Sequence, residues 1–436
     1  YIQGYQNETE ELGEKQLQDT IEKLKQEYRK KDCVILYFIG LTESYEGEGY
    51  DRKNLKIPQN QEELLAEIAE TVGKDHIAAI SFGGAPMDFS FEKNVGAILH
   101  MYLGGQAVGE SVADLISGEV NPSGKLAETI PFSEKDTPAW RYFAPPNDDV
   151  EYRESIFVGY RYYETFHVPV KYPFGYGLSY TSFSYSELNV PEVYSGGKIQ
   201  IRFKIKNIGK VSGAEIAQLY ICPIESDVIR SHIELKGFQK IYLHPGEEKE
   251  VILELDERSF SVYDVEKKAF SMLSGKYQIC IGASVHDLQL KANMEVVGNS
   301  YFRNERELFP DYFREQPHGM EISAEQFYQL LGGEPKHDKE KKRGEYTVYD
   351  SYQDVVNVSM FGKFVRGVVH IGLKIILGGK SERDPAFKMV KMGVEEGNLE
   401  GLIATSGGIA TPKLIDMLVY NANKKYLQAF KRLLKK

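Results

Sequence analysis

Residues 14–30 carry apolar side chains at helical spacing among many charges, which predicts an amphipathic helix. The pattern then switches. Residues 33–41 read Cys-Val-Ile-Leu-Tyr-Phe-Ile-Gly-Leu with hardly a polar break, as expected of a strand buried on both faces. Helical spacing returns over 61–72 (QEELLAEIAETV), and a second strand follows at 76–82, stopped by Gly83-Gly84. Residues 97–102 form a third apolar run. Gly104-Gly105 then opens a helix over 106–116, closed by Gly118. Strands alternating with helices predict a mostly parallel sheet covered on both faces.

From residue 183 the period changes to two. Residues 198–206 (KIQIRFKIK) alternate strictly, the mark of a strand with one buried face. Turn signals recur at 207–209, Ser212-Gly213, Pro245-Gly246 and Ser274-Gly275, which suggests an immunoglobulin-like sandwich. The Cys–Trp–Cys framework of antibody domains is missing, so a fibronectin type III-like version fits better.

Beyond the sandwich, Ser323-Ala324-Glu325-Gln326 reads as a capping box before a short helix. A charged linker covers 332–344. Residues 355–377 are largely apolar but carry Lys363, Arg366, His370 and Lys374, whose cost in a bilayer centre argues against a transmembrane segment. Residues 341–436 hold 17 Lys and Arg against 9 Asp and Glu, so this tail is basic while the chain as a whole is at −11. A helical hairpin packed on its own protein is the plain expectation; docking on a membrane surface or on the acidic body is the sharper one. The expected domains are therefore 1–182 (α/β), 183–298 (β-sandwich), 299–340 (a connecting segment with a short helix) and 341–436 (a basic helical region).

A chain of 436 residues is too long for one ordinary core, and a negative net charge speaks against nucleic acid as a partner. The 29 Tyr and 22 Phe would suit sugar faces, though they suit sheet packing equally well. Cys33, Cys222 and Cys280 read as buried thiols. Their spacing supports neither a disulfide framework nor a zinc site, and it leans towards a cytoplasmic protein. No phosphate loop appears in a strand–helix context, and Gly83-Gly84 is too short to stand for one, so a nucleotide binder is a poor reading and no cofactor is expected.

One stretch carries chemistry. Residues 46–53 (EGEGYDRK) pack two glycines, three carboxylates and an arginine into eight positions directly after the first strand. Open α/β sheets place ligand chemistry where a strand runs into such a loop. A Glu there can donate a proton, and Arg52 can hold Asp51. A solvated acidic loop is the bland alternative.

Four stretches, in order, resemble the C-terminal part of glycoside hydrolase family 3, the family of many β-glucosidases and β-xylosidases. They are residues 46–58 (EGEGYDRKNLKIP) with Gln61, then Gly104-Gly105-Gln106 followed by 118–126 (GEVNPSGKL), then 156–165 (IFVGYRYYET), and finally 172–183 (YPFGYGLSYTSF). The resemblance spans residues 1–297. It implies a retaining, exo-acting β-glycosidase, most simply a β-glucosidase, in which a loop Glu of the α/β domain is the general acid/base. Here Glu48 matches that position, with Glu46 the second candidate. Asp51 and Arg52 match the family's Asp-Arg pair as loop-fixing or substrate-side residues, and Tyr176 and Ser179 read as structural. The family's nucleophile is an Asp on a barrel that has no counterpart in this sequence. Residues 1–5 resemble a segment that normally follows the first strand and helix of the α/β domain. The expectation is thus a fragment, inactive alone, whose partner is a β-glucoside or related oligosaccharide, and which is prone to homo-oligomerise through uncovered apolar surface. The alternative is a non-catalytic carbohydrate-binding or scaffold module.

Overall fold

The computed structural model describes residues 14–30, 33–43, 45–47, 51–52, 54–143, 150–298, 304–335, 341–380 and 384–434. The chain forms two compact units, one of Tyr1–Ala85, Asn94–Ile98 and Lys336–Lys436, the other of Pro86–Lys93 and Leu99–Pro335.

The α/β part opens with α1 (Glu14–Lys30), β1 (Ile35–Gly40), α2 (Gln59–Val72), β2 (Ile77–Phe82) and β3 (Ala97–His100). The sheet order is β1-β2-β3, and β1 runs parallel to β2 with Ile35 opposite Ile77 and Gly40 opposite Phe82. Leu64, Leu65, Ile68 and Val72 recur at three- and four-residue steps, so α2 buries one face. The thiol of Cys33, expected to be buried, is only half-buried, because the chain there has not yet entered the paired part of β1.

In the second unit α3 (Val108–Ser117) ends on Gly118, whose positive φ of 81° forms a left-handed cap. β4 (Ile130–Pro131), α4 (Tyr160–Thr165) and β5 (Val170–Tyr172) complete its α/β portion. The sandwich follows, with β6 (Phe183–Asn189), β7 (Val193–Tyr194), β8 (Ile199–Asn207), β9 (Gly213–Pro223), β10 (Glu234–Leu243), β11 (Glu248–Leu255), β12 (Ser261–Asp264), β13 (Ala269–Met272), β14 (Gly275–Gly282) and β15 (Leu288–Val296). Its sheets are β10-β9-β14-β15-β7 and β11-β8-β6. Ile201, Phe203 and Ile205 of β8 point inward against Leu219 and Ile221 of β9 and Ile279 and Ile281 of β14, so the alternation in the sequence becomes one closed core.

The segment after the sandwich packs back on the α/β portion. Phe309, Tyr312, Met320 and Ile322 share a core with Phe157, Tyr162 and Tyr163, and the Tyr162 hydroxyl donates to Gln316 O at 2.6 Å. It carries α5 (Glu305–Leu308) and α6 (Ala324–Leu331). Ser323 caps α6, yet its capping box is only half made. The Gln326 side chain accepts from Asp311 N instead, and Asp311 in turn accepts from Ser323 N.

Among the described residues the basic region is six helices rather than a hairpin, α7 (Tyr352–Asn357), α8 (Met360–Ile376), α9 (Pro385–Glu396), α10 (Leu399–Thr405) and α11 (Pro412–Ala422) around one core, with α12 (Tyr426–Leu434) packed on α11. The cause is capping. Ser351, Ser359, Asp384, Asn398 and Thr411 each accept from a first-turn N–H, and Ser359 splits the apolar run 355–377 into two helices. Among the described residues no helix is long and apolar enough to cross a membrane.

Candidate functional site

The acidic loop leaves the carboxyl end of β1, the edge of a parallel sheet where ligands usually bind. Three contacts fix its start. Leu41 N donates to Phe82 O at 3.1 Å, and the amides of Tyr45 and Glu46 both donate to Thr42 O, at 2.9 and 3.0 Å. The Gln61 side chain then closes on Gly40 from both sides, accepting from its N–H at 3.0 Å and donating to its carbonyl at 3.1 Å. This carboxamide behaves as a further strand residue. It satisfies the last backbone groups of β1 where pairing stops. The Tyr37 hydroxyl donates to Gln61 O at 2.8 Å and holds the clamp from the strand side. Gly40 has no room for a side chain, since a Cβ there would lie 2.7 Å from Phe82 O.

Of the candidate residues, Glu48 lies outside the described residues, together with its neighbours Gly49 and Tyr50. Glu46 is engaged: its carboxylate accepts from Gly84 N at 2.9 Å, tying the loop to the turn after β2. Gly83-Gly84 therefore serves as a donor turn. Asp51 is exposed and Arg52 is half-buried. Burial lowers the pKa of the Arg52 guanidinium, while the neighbouring Glu46 and Tyr45 support its charge. Further along, Ile57 is buried and returns the chain to α2.

Gln61 and the Gly84 amide were not identifiable as loop-holding groups from sequence. Gln61 falls within a matching stretch, but a glutamine in the first turn of a helix carries no pattern of its own. Among the described residues no three His, Cys, Asp or Glu side chains converge to hold a metal ion.

The second unit carries its own polar devices. Asn121 accepts from Ser179 Oγ at 3.0 Å and Tyr180 N at 2.8 Å and donates to Ser212 O at 3.0 Å. Lys125 pairs with Glu215 at 3.0 Å and donates to Gly177 O at 3.0 Å. Asn121 thus joins the α/β portion to the sandwich, with Ser179 holding its carboxamide, and Tyr176 stacks on Tyr172 with centroids 5.4 Å apart. Glu92 accepts from Tyr172 and pairs with Lys171; burial opposes its charge, but these two partners outweigh it and lower its pKa. Glu128 goes the other way. Burial raises its pKa, and the Tyr102 hydroxyl facing it offsets only part of that. A groove of about 1130 Å³ also lies in this unit, with Arg230 and Tyr277 in its wall. Arg230 is committed to Glu234 at 2.9 Å and to the Tyr277 hydroxyl at 3.0 Å, so it is part of the fold there.

Residues 1–180 match the glycosyl hydrolase family 3 C-terminal domain and residues 215–285 the fibronectin type III-like domain. Thermostable beta-glucosidase B of Acetivibrio thermocellus is 41% identical over 298 residues, 68% of this chain and 38% of that protein. An exo-alpha-(1->6)-L-arabinopyranosidase of Bifidobacterium breve is 37% identical over 63% of this chain and 36% of its own length. Among solved structures, the GH3 beta-glucosidase of Bifidobacterium adolescentis aligns with a TM-score of 0.63 at 35% identity, covering 67% of this chain and 42% of that one. Beta-glucosidase 3B of Thermotoga neapolitana, in complex with alpha-D-glucose, gives 0.59 at 34%, covering 66% and 40%. The chain therefore spans well under half the length of these relatives.

Proposed function

From a chain that belongs, through residues 1–180 and the sandwich after them, to the C-terminal portion of glycoside hydrolase family 3, we propose the acid/base-bearing part of a retaining, exo-acting β-glucosidase. The observation that carries this reading is the loop at the end of β1. Gln61 clamps its root and Gly84 holds Glu46, which leaves Glu48, between two glycines, as the carboxyl group to be delivered to substrate. A Glu46 tied to a backbone amide is poorly placed to shuttle a proton.

Retention requires two carboxyl groups about 5–5.5 Å apart across the scissile bond. In this reading an Asp from a barrel domain of the same enzyme attacks the anomeric carbon. Glu48 protonates the leaving oxygen and then takes a proton from the water that releases the sugar. Its protonated state near neutral pH comes from desolvation and from the nucleophile's charge, both of which need the barrel wall. Asp51 and Arg52 shape the loop on the leaving-group side. The names of the relatives support a β-glucoside first and an arabinopyranoside second.

The test is hydrolysis of aryl β-glucoside, β-xyloside, β-N-acetylglucosaminide and α-L-arabinopyranoside, by this chain and by a longer polypeptide with the barrel ahead of it. Glu48→Gln in the longer form should cut turnover about 10²–10⁴-fold, and Glu46→Gln by less than about tenfold, since the glutamine oxygen can still accept from Gly84 N and only the charge is lost. Azide should rescue Glu48→Ala. Equal losses for the two glutamates would overturn the assignment, and turnover by this chain alone would place a nucleophile within it.

A further inference from the structure

The helical region holds a surface that its own core does not use. Met360, Phe364, Val368, Ile371 and Ile375 recur along α8 at steps of three and four residues, so they line one face. They are 83, 68, 53, 60 and 75% exposed. The core is served by the other side of the same helix, where Gly362 and Val365 are buried and Phe361 and Val369 pack inward. A surface helix ordinarily spends its apolar stripe on its own domain. α8 has two stripes, and the second faces solvent.

The charges on this helix all have one sign. Its sequence (MFGKFVRGVVHIGLKII) contains Lys363, Arg366 and Lys374 and no Asp or Glu. Arg366 reaches Asn357 at 2.9 Å and Glu395 at 3.8 Å on the packed side. On the helical wheel Lys363 and Lys374 fall beside the exposed stripe, at about 100° per residue. The C-terminal helix repeats the composition. α12 (YLQAFKRLL) exposes Leu427, Phe430 and Leu434 on one side, carries Lys431 and Arg432, and has no acidic residue.

We propose that α8, with α12 as a second contact, is an interfacial helix that docks this region on an anionic lipid surface. The apolar stripe enters the headgroup–acyl boundary, while the Lys363 stem runs along it and keeps its ammonium group at the phosphate level. The surplus of 17 cationic over 9 anionic side chains in residues 341–436 complements a negatively charged leaflet. A second copy of the chain fits less well. Pairing two such stripes would set Lys363 against its own copy with no acidic residue on the helix to answer it. The stripe lies on the membrane and does not span it.

The experiment is flotation of the full chain with phosphatidylcholine vesicles, with and without about a third of the lipid as phosphatidylserine. The chain should float with the anionic vesicles and at least tenfold less with the neutral ones. Raising the salt concentration should release most of it, as an electrostatic contribution requires. Phe364→Ser with Ile371→Ser should abolish flotation without changing the circular dichroism melt, since both side chains are exposed. Lys363→Glu should weaken it several-fold. No flotation, equal flotation with neutral vesicles, or a dimer in light scattering that the serine variant disperses would each overturn the proposal. The glycosidase assay is a separate readout, so either reading can fail alone.

Discussion

The β-sandwich and the parallel sheet handle their apolar faces differently. In the sandwich every inward residue of β8, β9 and β14 meets another sheet, so Phe203, Leu219 and Ile279 are all but sealed from solvent. In the parallel sheet β2 is buried at Ile77, Ala79 and Ile80, but β1 leaves Leu36 and Phe38 exposed along one side, with Val34 exposed just before it. Parallel sheets are covered on both faces almost without exception. The sandwich is a finished object, whereas β1 presents a face suited to covering by something else. The acidic loop grows from that less finished strand, which agrees with a site whose other wall comes from elsewhere.

The contrast predicts unequal costs for similar substitutions. Phe203→Ala removes a ring from between two sheets and should cost about 3–5 kcal/mol. Hydrogen exchange of β8 and β9 amides would read this locally, because a chain of two units need not unfold in one step. A loss below about 1 kcal/mol would mean the sandwich core yields, and the comparison would fail.

Much of this difference was legible in the sequence. The strict alternation of 198–206 is β8, and the uninterrupted run at 33–41 is β1. Position-two periodicity reports a strand whose partner face is supplied nearby, so it could be read directly. The unbroken apolar run of β1 reports a demand for two covers without saying who supplies the second. Caps were partly legible. Ser323 was recognisable by its neighbours, but Ser359 reads as a polar accident within an apolar stretch until its hydroxyl is seen to accept from Gly362 N at 2.9 Å. For the site, the acidic loop stood out by composition alone. Gln61 and Gly84 did not, since a clamp made by one carboxamide and one backbone amide depends on two segments meeting in space.

Gln61 is the next largest effect expected. Gln61→Ala leaves the Gly40 N–H and carbonyl without their partner at the root of the loop, and part-buried orphaned groups of this kind cost about 1–3 kcal/mol. In the longer enzyme kcat should fall more than KM changes, because the loop loses its registration while the sugar pocket is untouched. Gln61→Glu should not rescue it, since a carboxylate cannot donate to the Gly40 carbonyl. A variant with normal kcat would separate the clamp from the chemistry.

Two half-buried glutamates sharpen the comparison with opposite signs. In the sandwich Glu234 has its pKa lowered: burial works against its charge, and Arg230 and Lys236 outweigh burial. Its contribution is present above the ordinary carboxylate range and is lost as pH falls through the lowered value. Glu128, in the α/β portion, is raised by burial, so its contribution is full at low pH and declines as pH rises through the raised value. Glu128→Gln should therefore stabilise relative to the parent at pH 8 by under about 1 kcal/mol, with the gap closing towards pH 4. Melting curves across that range check it, and a gap that widens on acidification would reverse the sign assigned to burial.

The smallest effect is at the uncovered face itself. Phe38 stacks loosely on Phe82, with ring centroids 6.4 Å apart, and is 59% exposed. Phe38→Ser should change stability by no more than about 0.5 kcal/mol, as surface substitutions do. It should lower association in light scattering, because a flat apolar patch beside an edge strand is a natural contact between copies. In the longer polypeptide the same change should cost about 2 kcal/mol or more if the barrel covers β1, since the ring would then be buried. A large loss already in this chain would show that β1 is covered from within it, and the difference between the sandwich and the parallel sheet would vanish.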